Sequence, residues 1–211
     1  MKIKKTKAHT IYKNQEGKRL PGATTIIGIL AKPALVNWAN RLGLEGVDVS
    51  KYVDDLAGVG TLAHELVCKE ITGKGVDLSE YSQKDIERAE NALKSFNSWK
   101  KDKDITPVLS EQMLISEKYQ FGGAPDLYGK INGDHILIDF KTSNAIYDEH
   151  FIQLGAYKIL LEESGHKVDK AIIVRIGRTS DEGFETRELT DLSKYEKIFR
   201  LCLEIYKLRR K

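Results

Sequence analysis

Apolar and polar positions follow two different rhythms along this chain. Between residues 34 and 99 the apolar residues recur every three or four positions, the spacing of helices that bury one face. Ala34–Leu44, preceded by Pro33, predicts a helix that stops near Gly46. Asp48–Gly58 reads as helix or loop, and Gly60–Ile71 as a helix ended by Thr72-Gly73. Ser82–Trp99 reads as another helix, with Ser82 as its N-cap. The period then shortens to two. Val108–Ser116, Gly123–Ile131 and His135–Lys141 predict strands joined by short turns. Asp148–Ser164 is helical up to Gly165, Ala171–Ile176 is apolar enough for a buried strand, and Phe184–Leu189 predicts one more. Leu192–Arg210 is an amphipathic helix. Ahead of these, residues 1–20 suggest a short hairpin turning at Asn14–Gly17, and Thr24–Leu30 is apolar. The order predicts a mixed α/β fold, with a central mixed sheet flanked by helices, rather than a doubly wound parallel sheet.

Asn132-Gly133 is the strongest turn signal, the pair favoured in a two-residue type I′ hairpin. That turn aligns Ile131 with Asp134, and counting outward reaches Leu127 with Ile138 and then Asp126 with Asp139. Two carboxylates are therefore expected opposite each other, which costs stability unless something neutralises them. Period two puts Lys141 on the face of Asp139, while Phe140 turns to the other face with Ile136 and Ile138. A hard divalent cation, magnesium or manganese, resolves the clash through carboxylate oxygens. Such an ion beside an amine outlines a site for phosphodiester hydrolysis. The tripeptide alone is a weak signal, since Glu16-Gly17-Lys18 also matches it in a turn-like segment. Its position at the end of Ile136-Leu137-Ile138, aligned with Asp126, separates it from that second match, while spacing alone supports a functional site and an ordinary salt-bridged strand end equally.

Bulk properties narrow the field. The chain has 211 residues, 41% hydrophobic and 31% charged, a balance suited to one soluble domain. No apolar run is long enough to span a bilayer, and the basic start lacks a signal-peptide core, so a cytoplasmic location is expected. A net charge of +3 permits a polyanionic partner. Cys68 and Cys202 are two distant thiols in helical patterns, too few for an ordinary iron–sulfur cluster.

Several motifs together resemble the PD-(D/E)XK nuclease superfamily, in its RecB-type and phage exonuclease branch. They are Gly60-Thr61-Leu62-Ala63-His64, Gly122-Gly123-Ala124-Pro125-Asp126, Ile138-Asp139-Phe140-Lys141 and Gln153-Leu154-Gly155-Ala156-Tyr157, in that order. The segment from Ala23 through Lys32-Pro33 to Trp38 is similar to phage members. The resemblance implies a restriction-endonuclease-like core over about 55–190, an N-terminal hairpin and helical extension over 1–54 and a C-terminal helix over 191–211, all in one domain. It implies His64, Asp126 and Asp139 as metal ligands with the Phe140 carbonyl, Lys141 as catalytic lysine, and Gln153 and Tyr157 beside it. Glu117 is a secondary candidate and Glu111 a weaker one. Taken without the family, His64, Gln153 and Tyr157 are ordinary residues of helix faces.

The activity so implied is a metal-dependent deoxyribonuclease, favoured as an exonuclease on ends of single- or double-stranded DNA in phage or bacterial recombination or repair. A single-strand-binding or recombination protein is a natural partner. A structure-specific or restriction-type endonuclease is the alternative, and a non-catalytic DNA-binding module a lesser one. Thr142, Ser143, Asn144, Arg175 and Arg178 are candidate DNA contacts. Phe96–Trp99 is a candidate base-stacking segment, although a Phe and a Trp three apart on a helix more often mean core packing. The basic residues Lys94, Lys100, Lys101 and Lys103, and the tail Lys207–Lys211, fit a solvated face as well as a phosphate track.

Overall fold

The structure is a computed structural model that describes residues 10–73 and 75–210. Part of the expected N-terminal hairpin, residues 1–9, lies outside them. The remainder of that hairpin is β1 (Tyr12–Lys13) and β2 (Arg19–Leu20), followed by a short helix α1 (Ala23–Ile27). Then come α2 (Pro33–Leu44), α3 (Val49–Thr72) and α4 (Gln83–Lys100). The strands β3 (Ile105–Ser110), β4 (Leu114–Ser116), β5 (Phe121–Gly123), β6 (Leu127–Ile131) and β7 (Asp134–Lys141) precede α5 (Asp148–Glu163). The chain closes with β8 (Lys170–Ile176), β9 (Phe184–Leu189) and α6 (Ser193–Leu208).

Five strands form the central sheet in the order β3-β6-β7-β8-β9, antiparallel except for the parallel pair β7–β8. The mixed architecture expected from the pattern is therefore present. β7 is apolar on both faces because both are covered. Leu137 and Ile173 pack with Leu154, Leu160 and Phe199 beneath α5 and α6. Ile138, Phe140 and Val174 pack with Leu62, Ala92 and Phe96 beneath α3 and α4. α5 lies between the sheet and α6, so apolar residues surround it rather than forming a stripe: Leu154, Ala156, Tyr157, Leu160 and Leu161 are all buried.

Three elements differ from expectation. The helix expected from Gly60 starts eleven residues earlier, because Asp48 caps a continuous α3 by accepting from the Lys51 N–H at 3.1 Å. The strand expected over 108–116 is cut by Glu111, whose φ of 50° is left-handed, into β3 and β4. The strand expected over 123–131 is interrupted by Ala124-Pro125-Asp126, since Pro125 has no N–H for a ladder. Phe96 and Trp99 meet Phe140 edge-on in the core, with ring centroids at 5.4 and 6.4 Å, which rules them out as an exposed stacking surface.

Candidate active site

The hairpin turn has the expected geometry, with Asn132 and Gly133 at φ 53° and 93°. The register runs from Ile131 opposite Asp134 to Leu127 opposite Ile138, and there the ladder ends. Asp126 and Asp139 occupy the next position without closing a regular pair. The Pro125 carbonyl, which a regular continuation would offer to the Phe140 N–H, accepts from the Glu111 N–H at 3.0 Å. The Phe140 N–H donates instead to Asp126 Oδ2 at 2.8 Å. The break in the ladder thus aims the Asp126 carboxylate across to β7.

Asp139 is 0 % exposed. The Lys141 Nζ lies 2.5 Å from its Oδ2 as an ion pair, yet neither carboxylate oxygen has a well-formed hydrogen bond. Burial drives its pKa up to about 6, with Lys141 opposing the rise and Asp126 adding to it. Asp126 behaves differently. Burial raises it too, but His64, Lys141 and the Phe140 N–H outweigh that and hold it below the usual carboxylate range. Two neighbouring acids therefore titrate in opposite directions, a separation typical of acid–base and ligand sites.

His64 arrives from α3, on the opposite face of the sheet from Asp139, and reaches over the ladder's end to place Nδ1 3.5 Å from Asp126 Oδ1. Burial works against its charge, but the carboxylate of Asp126 prevails and raises its pKa. On the other side α5 supplies a relay. Lys141 Nζ donates to Gln153 Oε1 at 3.2 Å, and Gln153 Nε2 donates to the Tyr157 hydroxyl at 2.7 Å. Gln153 and Tyr157 are four apart and so share a helix face. Burial holds the Tyr157 hydroxyl protonated well beyond its ordinary range.

Two glycines make room for this arrangement. A Cβ on Gly123 would lie 2.7 Å from the Tyr157 ring, and one on Gly122 would lie 2.3 Å from the ring of Tyr12. The N-terminal hairpin thus bears directly on the loop that carries Asp126.

The other sequence candidates fall elsewhere. Glu117 stands apart, with Oε1 accepting from the Gln15 N–H at 2.8 Å and Oε2 from Gln120 Nε2 at 3.2 Å, a clasp on the N-terminal hairpin. Glu111 instead lines one crevice with His64, Asp126, Phe140 and Cys68. Ser143 donates to the Ala145 carbonyl, and Asn144 accepts from the Tyr147 hydroxyl, so both shape their own loop. Thr142 sits where α3 passes closest, its Oγ1 2.9 Å from where a Gly60 Cβ would be. Arg175 lies beside Lys141 in the parallel pair but is held by Glu185 at 3.4 Å and the Glu182 carbonyl at 3.1 Å. Arg178 lies beyond the end of β8. His150, in the first turn of α5, was not singled out by sequence. Burial and the charge on Lys141 depress its pKa to about 4, which puts it beside the site.

Over residues 43–209 the sequence matches the family model of the PD-(D/E)XK nuclease superfamily. The chain belongs to this superfamily. No curated protein matches the sequence. Among solved structures it is similar to the alkaline exonuclease LHK-Exo from Laribacter hongkongensis, at 15% identity over 74% of this chain and 90% of that one, TM-score 0.35. It is also similar to SSO0001, at 17% identity over 72% and 86%, TM-score 0.35. A protein from Eubacterium rectale matches at 11% identity over 72% of this chain and 65% of its own length, TM-score 0.46. These likenesses are distant.

Nucleases of this superfamily generally use divalent metal ions, and the donor set here suits one. The orphaned oxygens of buried Asp139, the carboxylate of Asp126 and an imidazole nitrogen are ligands for a hard or borderline cation. Among the described residues no three His, Cys, Asp or Glu side chains already stand in a closed metal-holding group. The Lys141 ammonium compensates part of the charge on Asp139 in the arrangement seen. A separate cleft of about 760 Å³ opens between the N-terminal hairpin, α1 and the end of α6, and Pro21 and Gly22 on its lining meet Gly122 of β5. Tyr12 forms its inner wall, and Arg19, Thr24, Thr25, Tyr206 and Arg210 line the rest.

Proposed function

We propose that this chain is a divalent-metal-dependent deoxyribonuclease, and that it works as an exonuclease on DNA ends in recombination or repair. The observation that carries the reading is the fully buried carboxylate of Asp139, ion-paired with Lys141 but with neither oxygen in a well-formed hydrogen bond, beside Asp126 and the Lys141–Gln153–Tyr157 relay. Burying two carboxylates side by side with one ammonium between them is costly, and a site built at that cost fits a cationic ligand. His64, Asp126, Asp139 and the Phe140 carbonyl would hold magnesium or manganese, with Glu111 near enough to join through water. When bound, such an ion polarises a phosphate oxygen and lowers the pKa of a water molecule.

The chain's own groups do the remaining work. Lys141 donates to the phosphate or to the attacking water, where its charge offsets the negative charge developing on the phosphate oxygens. Gln153 fixes the direction of the Lys141 ammonium, and Tyr157 fixes Gln153. Tyr157 acts as a neutral hydroxyl throughout, because burial keeps its proton in place. The hydroxyl- and arginine-lined cleft, joined to β5 through Tyr12 and Gly22, supports binding of a phosphate-bearing chain. This assignment places the protein in the cytoplasm with DNA as its partner; no described helix is long and apolar enough to cross a membrane.

The test is a time course on linear DNA labelled at either end and on closed circular DNA, with magnesium or manganese. The exonuclease reading expects loss of the end label from linear DNA and an intact circle. Nicking of the circle would move the assignment to an endonuclease, and no cleavage of any substrate would remove it.

A further inference from the structure

The arm that α2 and α3 form beyond the sheet is unusual for what it leaves uncovered. α2 buries none of its twelve residues, although Leu35, Val36, Trp38, Leu42 and Leu44 are apolar. The first turns of α3 are equally open, with Tyr52 42% and Val53 44% exposed. Within this arm the rings of Trp38 and Tyr52 meet at 6.1 Å and 54°. Tyr52 also faces the end of β8. There Arg178 carries a buried Nε with no hydrogen-bond partner, and Arg88 of α4, Glu182 and the hydroxyl of Tyr52 lie close enough to act on it. The backbone of Arg178 is fixed, its N–H donating to Glu182 Oε2 at 2.7 Å. Of the charged groups acting on Arg178 one is a second arginine and one an acid, and its buried donor is left without an acceptor, the features of an incomplete anion site.

The place of this patch relative to the candidate active site follows from the fold. α3 carries both Tyr52 and His64, twelve residues apart, so the two are separated by about 18 Å along the helix. Arg178 follows Arg175, the residue paired with Lys141, by three positions, or roughly 10 Å of extended chain. Lys32, just ahead of α2, pairs at 2.6 Å with Glu149 in the first turn of α5, beside His150. The arm therefore starts at the rim of the site and leads away from it, on the side of β8, whereas the cleft at Tyr12 lies on the side of β5.

We propose that Trp38, Tyr52, Arg88 and Arg178 form a platform for an unpaired stretch of a nucleic-acid strand, a few nucleotides from the bond to be cut. Exposed rings give faces on which bases stack whatever their identity, and the guanidinium groups take the intervening phosphates. A paired duplex keeps its bases stacked internally and offers no free face to these rings. The inference rests on the nuclease reading for its biological setting, but binding can be measured apart from cleavage.

The experiment is fluorescence titration of the full-length protein, with a chelator present so that no metal-dependent turnover occurs, using a single-stranded oligonucleotide and a blunt duplex of equal length. Binding of the single strand is expected to quench the half-exposed Trp38, leaving the emission of buried Trp99 as background. Tyr52→Leu and Arg178→Gln should each weaken single-strand binding roughly tenfold and leave duplex binding within about twofold. Leu44→Ser, at an apolar residue of α2 that is 82% exposed, serves as the control and should change neither. Circular dichroism checks that each variant is folded. Unchanged single-strand affinity in a folded Tyr52→Leu and Arg178→Gln double variant overturns the proposal. So does an equal loss in Leu44→Ser, or self-association of the wild type that Tyr52→Leu abolishes, which would assign the face to a second copy of the chain. If the protein binds single strands through the patch but cleaves no nucleic acid with any metal, the platform stands and the nuclease assignment falls.

Discussion

At the scale of single residues, the two acids of the hairpin differ in what their burial does. Asp139 takes up its proton near pH 6 in the folded metal-free protein and near its ordinary 3.8 when unfolded. The folded state then binds more protons between these values, so stability falls as pH rises from about 4 to 6 and stays at the lower level above. Asp139→Asn removes that burden. The variant should melt at a higher temperature than wild type at pH 8 with a chelator present, and should lose the advantage at pH 4; differential scanning calorimetry at the two pH values checks this. His150 gives the opposite slope. Its pKa is depressed to about 4 from an ordinary 6.5, so the unfolded chain takes the proton first. Its contribution is intact above about pH 6.5 and is lost as pH falls toward 4. His150→Asn should flatten acid unfolding over that window. These roles were only partly legible in the sequence. Asp126, Asp139 and Lys141 were brought near one another by turn register, because a two-residue hairpin fixes the pairings as far as Leu127 and Ile138, although the break at Pro125 beyond them was not foreseen. His150, and the difference between Glu111 and Glu117, depend on which elements pack together, and no local pattern encodes that.

At the scale of elements, the site hangs on close helix contacts. A Cβ on Gly155 of α5 would sit 2.7 Å from the backbone nitrogen of Glu196, at the start of α6. Backbone cannot rotate aside, so Gly155→Ala must separate the two helices, at a cost of about 1–3 kcal/mol in unfolding free energy. Because α5 also carries Gln153 and Tyr157, the same variant should lower turnover more than Ser82→Ala does. That second change removes only the α4 N-cap, whose hydroxyl accepts from the Asp85 N–H at 3.2 Å, and should cost about 1 kcal/mol. Urea unfolding of both variants, paired with their cleavage rates, makes the comparison. Helices and strands were legible from periodicity wherever one residue type did one job. They were misread where a residue did something tertiary. Gly58 looked like the end of one segment and Gly60 like the start of a helix, yet both lie inside α3, and Gly60 lets it pass close to Thr142. Glu111 looked like a strand position and adopts a left-handed turn. The exposure of α2 was hidden from the sequence, since its apolar content predicted a buried face.

At the scale of the whole molecule, the sheet sets two groups of chemistry side by side. The acids and Lys141 stand at the ends of β6 and β7, and α3 and α5 clamp them from opposite faces. Hydroxyls and arginines line one flank, and the exposed aromatic arm occupies the other. If the nuclease assignment holds, a chain with net charge +3 would owe its hold on DNA to local placement rather than to overall charge. Affinity for DNA should therefore fall with salt at a shallow slope, set by only a few phosphate contacts. Arg19→Gln together with Arg210→Gln in the cleft should reduce that slope by roughly two, as measured by anisotropy across a salt series. The central claim is that the buried Asp139 and its neighbour Lys141 hydrolyse DNA with a divalent ion. It is tested most directly by release of acid-soluble nucleotide from linear DNA in manganese, comparing wild type with Asp139→Ala and Lys141→Ala. The account predicts release by the wild type that a chelator stops, and a loss of at least about a hundredfold in each variant while both remain folded. Release at an undiminished rate by either folded variant would contradict it.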